Sequence, residues 1–375
     1  LPGAPTIVLG FNNNVAWGVT NVASDVLDFY NIKFKDESKK EYWYDNKWNA
    51  VQPRVESIAV RGGNTILDTV YYTHHGPVVY LNNQKPAKGV DVNNVPAGHA
   101  MRWVAHDRSN DIRTFYMLNR AKNYDDYRKA LATYSAPAQN FIFASVDNDV
   151  AITANGYFPL KWNEQGKFLL DGSMPENDWH GRIPATQNPT VKNPPCNFVS
   201  SANQTPTDPS YPYYLNWQFA SYVRAHRINK RLTIMTNATV DSLRHLQNDN
   251  YSISAEDMLA TMLSSIDTKS LNATELKSFD IVSKWNKYFD ADAIGASIFD
   301  IWRKDINEKM WADKFTDPNA PMRYPNQDKT VQLILDEPNS KWFDDTRTPA
   351  KETRDDVIRA AFKFAVDSLE RKYGP

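Results

Sequence analysis

The stretch VAWGVTNVASDVLDFYN, residues 15–31, joins a Trp-Gly lead to a polar Thr20-Asn21 elbow and then to two aspartates, Asp25 and Asp28, flanking Leu27. The two carboxylates and the Leu27 carbonyl are oxygen donors at a spacing that suits a hard cation. Calcium takes six or more oxygens, so this segment supplies only part of a shell. Paired, solvated surface acids are the plainer reading of the same residues. Asn203, in VSSANQTPTD, follows a strand-like run. An asparagine there either turns the chain by bonding its own backbone or offers its amide to an oxyanion. Arg227, in RAHRI, reads first as one face of a basic, solvated helix.

Other chemical signatures are missing. The sequence has no G-x-G-x-x-G, no G-x-x-x-x-G-K-[ST], no H-E-x-x-H and no G-x-S-x-G. His74 and His75 are adjacent in YYTHHGPVV, which reads as a strand. Strand alternation sends neighbouring side chains to opposite faces, so the pair is not expected to share a metal. Cys196 is the single cysteine. Alone it forms neither an internal disulfide nor a Cys-rich zinc site, and NPPCNF places it in a loop.

Composition excludes some classes of partner. The chain has 375 residues, 41% hydrophobic and 23% charged, with a formal net charge of −1. A near-neutral chain lacks the basic footprint of nucleic-acid or anionic-membrane binding, and no apolar run is long enough to span a bilayer. The opening LPGAP lacks the basic and apolar regions of a signal peptide.

The elements that must position these residues change character along the chain. Residues 1–205 are strand-rich: TIVLGF, VAWGVTNV, VLDFYNIKF and TVYYT carry β-branched and aromatic residues between turn signals. YDNKW (44–48) reads as a hairpin. A helical pair interrupts at about 109–134, with Ser109 as N-cap and Ile112, Phe115, Tyr116 and Asn119 on one face. NFIFASVDNDVAITANGYFP returns to β alternation. Residues 206–375 are mostly helical, with Ser254 as one cap and Val357, Ala361, Phe364 and Leu369 as the stripe of the last helix. The residues alone give an α+β protein with at least two regions.

Taken in order, these segments resemble the penicillin acylase family of N-terminal nucleophile hydrolases. GFNNNVAWGVTNVASDVLDFY is similar to the family's elbow and the D-x-x-D after it, and TVYYTHHGPVV to its T-x-H-G-P strand. APAQNFIFASVDNDVAITANGYFP is similar to its Q-N hairpin, and VSSANQTP followed by YVRAHRI to its N-Q-x-P and R-x-x-R-I segments. The register holds over nearly the whole chain.

The resemblance implies an αββα four-layer sandwich of antiparallel sheets, here partial, with a mostly helical C-terminal region. It implies an amidase acting on N-acyl amides, such as β-lactam side chains or N-acyl homoserine lactones, through an acyl-enzyme on an N-terminal serine. The α-amine of that serine is the base; it titrates near pH 8, which removes the need for a histidine. The backbone N–H of Asn21 and the side chain of Asn203 would form the oxyanion hole, and Arg227 would orient the site. Asp25, the Leu27 carbonyl and Asp28 would be structural calcium ligands. Asn216 stands near a later family ligand position that is acidic, which weakens that set.

Leu1 aligns inside the large subunit, past its nucleophile. The chain is therefore expected to be a central fragment, inactive alone, whose partners are the small subunit and the missing parts of the large one. A periplasmic or secreted location follows from the same resemblance. The competing reading is a non-catalytic acyl- or sugar-binding module using Trp103, Trp217 and Tyr222.

Overall fold

The structure is a computed structural model and describes residues 3–79, 99–316 and 323–374. Leu1 lies outside them. The chain forms two compact units, Leu1–Ala220 and Ser221–Pro375. The division falls later than the composition change at 205. Residues 206–220 carry Tyr211, Tyr213, Leu215 and Phe219, which pack on Val22, Ala154 and Phe158 of the first unit.

The first sheet has the order β1-β2-β10-β11-β13. Its strands are β1 (Gly10–Phe11), β2 (Val15–Asn21), β10 (Gln139–Ser145), β11 (Val150–Asn155) and β13 (Thr190–Lys192), all antiparallel. Alternation sends Val15, Trp17, Phe141, Phe143 and Ala151 to one face. There they pack on Leu118 of α1 (Asp111–Leu118) and on Tyr127, Ala130 and Leu131 of α2 (Tyr124–Leu131). α2 starts where the Asn123 side chain accepts from Asp126 N, and its acids and bases sit at the ends the helix dipole favours. In α1 the cap position is Asn110, not Ser109, whose hydroxyl instead bonds Asp111. The buried α1 residues are Thr114 and Leu118, while Ile112 and Tyr116 are exposed.

The chain crosses to a second sheet through residues 22–26. That sheet has the order β12-β3-β9-β8-β7-β6. Its strands are β3 (Leu27–Asn31), β6 (Gln52–Ile58), β7 (Ile66–Thr73), β8 (Gly76–Val79), β9 (His99–Trp103) and β12 (Leu170–Asp171). Pairing is antiparallel except between β12 and β3. Tyr30, Val78 and Ala100 form its core with Tyr42 and Val51. The expected YDNKW hairpin is β4 (Glu41–Tyr44) and β5 (Lys47–Ala50); Asp45 and Asn46 both have positive φ, as a two-residue primed turn requires.

His74 and His75 depart from expectation. They are the two residues of the β7–β8 turn, closed by the pair Thr73–Gly76, so strand alternation does not apply to them. Their rings lie 3.7 Å apart. Gly76, at φ +128°, lets the turn close on β9: a Cβ there would stand 2.3 Å from the Met101 carbonyl oxygen. Burial first, and His74 beside it second, hold the His75 imidazole down to about 4.

The second unit is helical: α3 (Tyr222–Thr233), α4 (Val240–Gln247), α5 (Ile253–Ser264), α6 (Ala273–Ser283), α7 (Ile294–Trp311), α8 (Gln327–Asp336) and α9 (Arg354–Tyr373). α5 is capped by Ser252, not Ser254, because the Ser252 hydroxyl accepts from Ala255 N. α9 buries Val357, Ile358, Ala361, Phe362, Ala365 and Val366 against α7, and Phe364 is exposed. Trp302, fully buried, donates from Nε1 to the Ile358 carbonyl. Among the described residues no helix is long and apolar enough to cross a membrane.

Candidate active site

Asn21 ends β2 opposite Gln139 at the start of β10. The next backbone N–H, that of Val22, donates to the Ala138 carbonyl at 3.2 Å. Successive strand N–H groups point to opposite edges, so the Asn21 N–H faces away from β10. On that edge the ladder with β1 stops at Trp17. The elbow then turns through Ala23, at φ +59°.

The peptide carbonyl of Asn21 is held from two sides. Asn203 Nδ2 donates to it at 2.9 Å and Asn140 Nδ2 at 3.2 Å. Gln139 Nε2 donates to the Asn21 side-chain oxygen at 2.8 Å. Asn140 also lies 3.2 Å from Ser201 Oγ and 3.3 Å from Thr20 Oγ1, and those two hydroxyls are 2.6 Å apart. Asn203 sits at φ +67°, a left-handed conformation that asparagine tolerates better than most residues. It is therefore a turn residue by backbone, while its side chain reaches the Asn21 carbonyl. Asn203 Nδ2 carries two N–H groups; fixing one on the Asn21 carbonyl orients the other.

Sequence reasoning singled out Asn21 and Asn203 but gave no role to Gln139, Asn140, Thr20 or Ser201. Polar residues inside an otherwise apolar strand were the available signal. Gln139 and Asn140 open the run QNFIFAS yet are buried.

Asp25 and Asp28 also come together, around a partner the sequence did not reveal. Lys161 Nζ lies 2.8 Å from Asp25 Oδ2 and 2.8 Å from Asp28 Oδ1. The three side chains are 1%, 9% and 0% exposed for Lys161, Asp25 and Asp28. Trp179 Nε1 donates to Asp28 Oδ2 at 2.6 Å, and Tyr214 OH to Asp25 Oδ2 at 3.1 Å. Burial pushes the Asp28 carboxyl up, against the pull of Lys161. Gly166 packs against this carboxylate so closely that a Cβ would meet Asp28 Oδ1 at 1.6 Å. Asn216, the neutral residue near the later ligand position, donates instead to the Ala23 carbonyl. Leu27 opens β3 opposite Trp103. A calcium ion at Asp25, Leu27 and Asp28 does not fit this arrangement, because a buried ammonium stands between the two carboxylates and balances one of their charges.

Arg227 belongs to the second unit, on α3. It makes a bidentate pair with Asp249, at 2.8 Å from Nε and 2.7 Å from Nη2, and its guanidinium lies 4.3 Å from the Tyr251 ring. It is thus held in place, not solvated. It lines a cleft of about 620 Å³ within that unit, with Val223, Leu246, Tyr251 and Ile253. The aromatic residues of the competing reading are each engaged separately. Trp103 packs on His106, Trp217 lies under the Lys167 ammonium, and the Tyr222 hydroxyl donates to Asp257.

The entire chain, residues 1–375, matches the family described as penicillin amidase. It is 22% identical over 397 residues to the acyl-homoserine lactone acylase QuiP of Pseudomonas aeruginosa, covering 100% of this chain and 46% of that protein. It is 25% identical over 314 residues to the penicillin acylase 2 proenzyme of Pseudomonas sp. (strain SE83), covering 83% of this chain and 39% of the proenzyme. The chain spans about half the length of the acyl-homoserine lactone acylases it matches. Among solved structures, a thermostable penicillin G acylase from Alcaligenes faecalis superposes with a TM-score of 0.72 at 16% identity, over 100% of this chain and 70% of that one. That likeness shows the fold, the α+β arrangement of a penicillin G acylase.

Proposed function

The chain belongs to the penicillin amidase family, and from that premise we propose that it carries the oxyanion-binding part of an amidohydrolase that cleaves N-acyl amide bonds. The observation that carries the reading is the convergence of the Asn203 side-chain amide on the Asn21 carbonyl, beside an Asn21 N–H that faces the open edge of β2.

In this reading the nucleophile is a serine at the N-terminus of a processed large subunit, outside these 375 residues. Its α-amine takes the hydroxyl proton, and the oxygen attacks the amide carbonyl. The negative charge that forms on the carbonyl oxygen is met by the Asn21 N–H and the Asn203 amide. Collapse expels the amine, which takes a proton, and leaves an ester that water then hydrolyses. Asn140 holds the Asn21 carbonyl and Gln139 the Asn21 side chain.

Substrates are N-acyl amines, with N-acyl homoserine lactones and β-lactam side chains as the first classes to test. The former is supported by the name of the Pseudomonas aeruginosa relative, the latter by that of the penicillin acylase 2 proenzyme. A small subunit as partner and a periplasmic or secreted location belong to the same reading.

The test is to express the complete reading frame, sequence the N-terminus of every mature chain, and assay N-acyl homoserine lactones and phenylacetyl amides. A mature chain beginning with serine and releasing free amine supports the proposal. A mature protein with no N-terminal Ser, Thr or Cys refutes it.

A further inference from the structure

The β7–β8 turn brings a second group of chemically competent side chains together, sharing no residue with the Asn21–Asn203 cluster. His74 Nε2 and His75 Nδ1 each lie 3.5 Å from one oxygen, Asp178 Oδ1. The three atoms all lie within 4.8 Å of one another.

That oxygen is buried and accepts no hydrogen bond among the described residues. The opposite side of each group is fixed. His75 Nε2 is 3.0 Å from the Gly172 carbonyl oxygen. A carbonyl only accepts, so Nε2 carries the proton, and in the neutral ring Nδ1 presents a lone pair. His74 Nδ1 is 3.0 Å from the Tyr42 hydroxyl, and Tyr44 OH donates to Asp178 Oδ2 at 2.5 Å. Tyr30 stacks on the His75 ring at 3.8 Å, and Tyr44 lies 3.9 Å from the His74 ring. The result is a lone pair on buried His75 Nδ1 3.5 Å from a carboxylate oxygen that only accepts. Such an arrangement is repulsive until a cation stands between the two.

We propose that His74, His75 and Asp178 bind one divalent transition-metal ion of the zinc class. Two imidazole nitrogens and a carboxylate suit a borderline ion and not calcium or magnesium, which prefer all-oxygen shells. Bonds of about 2.0–2.1 Å in tetrahedral geometry put ligand atoms roughly 3.3 Å apart, and the two measured edges are 3.5 Å. The Tyr42, Gly172 and Tyr44 contacts are the outer shell that orients metal-bound histidines and carboxylates. His75 is buried, but His74 and Asp178 are partly exposed, so an ion has an entry path and water a fourth position. The ion would tie two separate segments together, the β7–β8 turn and the loop holding Asp178, with the tyrosines of β4 bonded to both.

The experiment uses the full-length protein, stripped with a chelator and titrated with Zn²⁺ against a chromophoric competitor. About one equivalent should bind per chain. His74→Ala and Asp178→Asn should each weaken binding by about tenfold or more. Co²⁺ loading of the wild-type protein gives a readout independent of variant folding: visible d–d bands of a four-coordinate nitrogen/oxygen site are expected. Anomalous diffraction at the zinc edge should place one peak between the three side chains. Binding unchanged in both variants overturns the proposal, as does an anomalous peak elsewhere or none at all.

Discussion

The side-chain amide of Asn203 donates a 2.9 Å hydrogen bond to the backbone carbonyl of Asn21, across 182 residues of sequence. This bond ties the loop after residue 200 to the end of β2. It sets the elbow at the moment the chain leaves the first sheet for the second. Asn140 completes the grip from the neighbouring strand.

Asn140 is 2% exposed and donates toward Asn21, Thr20 and Ser201. Asn140→Ala removes this donor and leaves buried acceptors with fewer partners. A cost of about 1–3 kcal/mol follows, read as a lower denaturation midpoint for the first unit. A midpoint unchanged in Asn140→Ala would show that the amide does not hold the elbow.

Lys161 is the counter-ion of two buried carboxylates. Lys161→Met should destabilise the first unit by about 3–5 kcal/mol, because removing one partner leaves buried charge uncompensated. The wild-type melting temperature should not move when calcium is added or chelated, whereas the variant, with its two carboxylates bared, should gain stability from calcium. Scanning calorimetry with and without millimolar calcium distinguishes the cases. A calcium-dependent rise in the wild-type protein would contradict the assignment of Lys161 as the resident cation.

The Arg227–Asp249 pair predicts a pH dependence in the second unit. The hydrogen bond from Arg227 holds the Asp249 carboxyl below its ordinary value of 3.8. A carboxyl depressed on folding stabilises the native state in full above that ordinary value. The contribution is lost as pH falls through the depressed one. The stability gap between wild type and Asp249→Asn should therefore be widest near neutrality and close in acid. Urea titrations between pH 7 and pH 2 measure it, and a gap constant with pH would contradict the ion pair.

What could be read in the sequence was local. The primed turn at Asp45-Asn46, the helical pair after residue 109 and the polar elbow at Asn21 are each set by a few adjacent residues. The α5 cap lies two residues earlier than expected, at Ser252 and not Ser254, because both serines flank the start of the same apolar run and only backbone geometry separates them. Long-range pairings were not legible. Lys161 reaches Asp28 across 133 residues, and no pattern near either residue announces it. The histidines were misread for a different reason. THHG carries the composition of a strand, but Gly76 converts it to a two-residue turn, and a turn can set adjacent rings side by side. Asn203 lies at positive φ, as a turn residue can, and its side-chain bond to Asn21 is a further long-range pairing of the same kind as Lys161 with Asp28.

The most direct test of the central claim is the turnover number of Asn203→Ala in the complete, processed enzyme, measured on the N-acyl amide that the wild-type protein cleaves best. Loss of one oxyanion donor should lower kcat by about 10²–10³, with a much smaller change in KM. The acyl-enzyme serine should be unaltered by N-terminal sequencing. A kcat within a few-fold of wild type would contradict the assignment of Asn203 to the oxyanion hole.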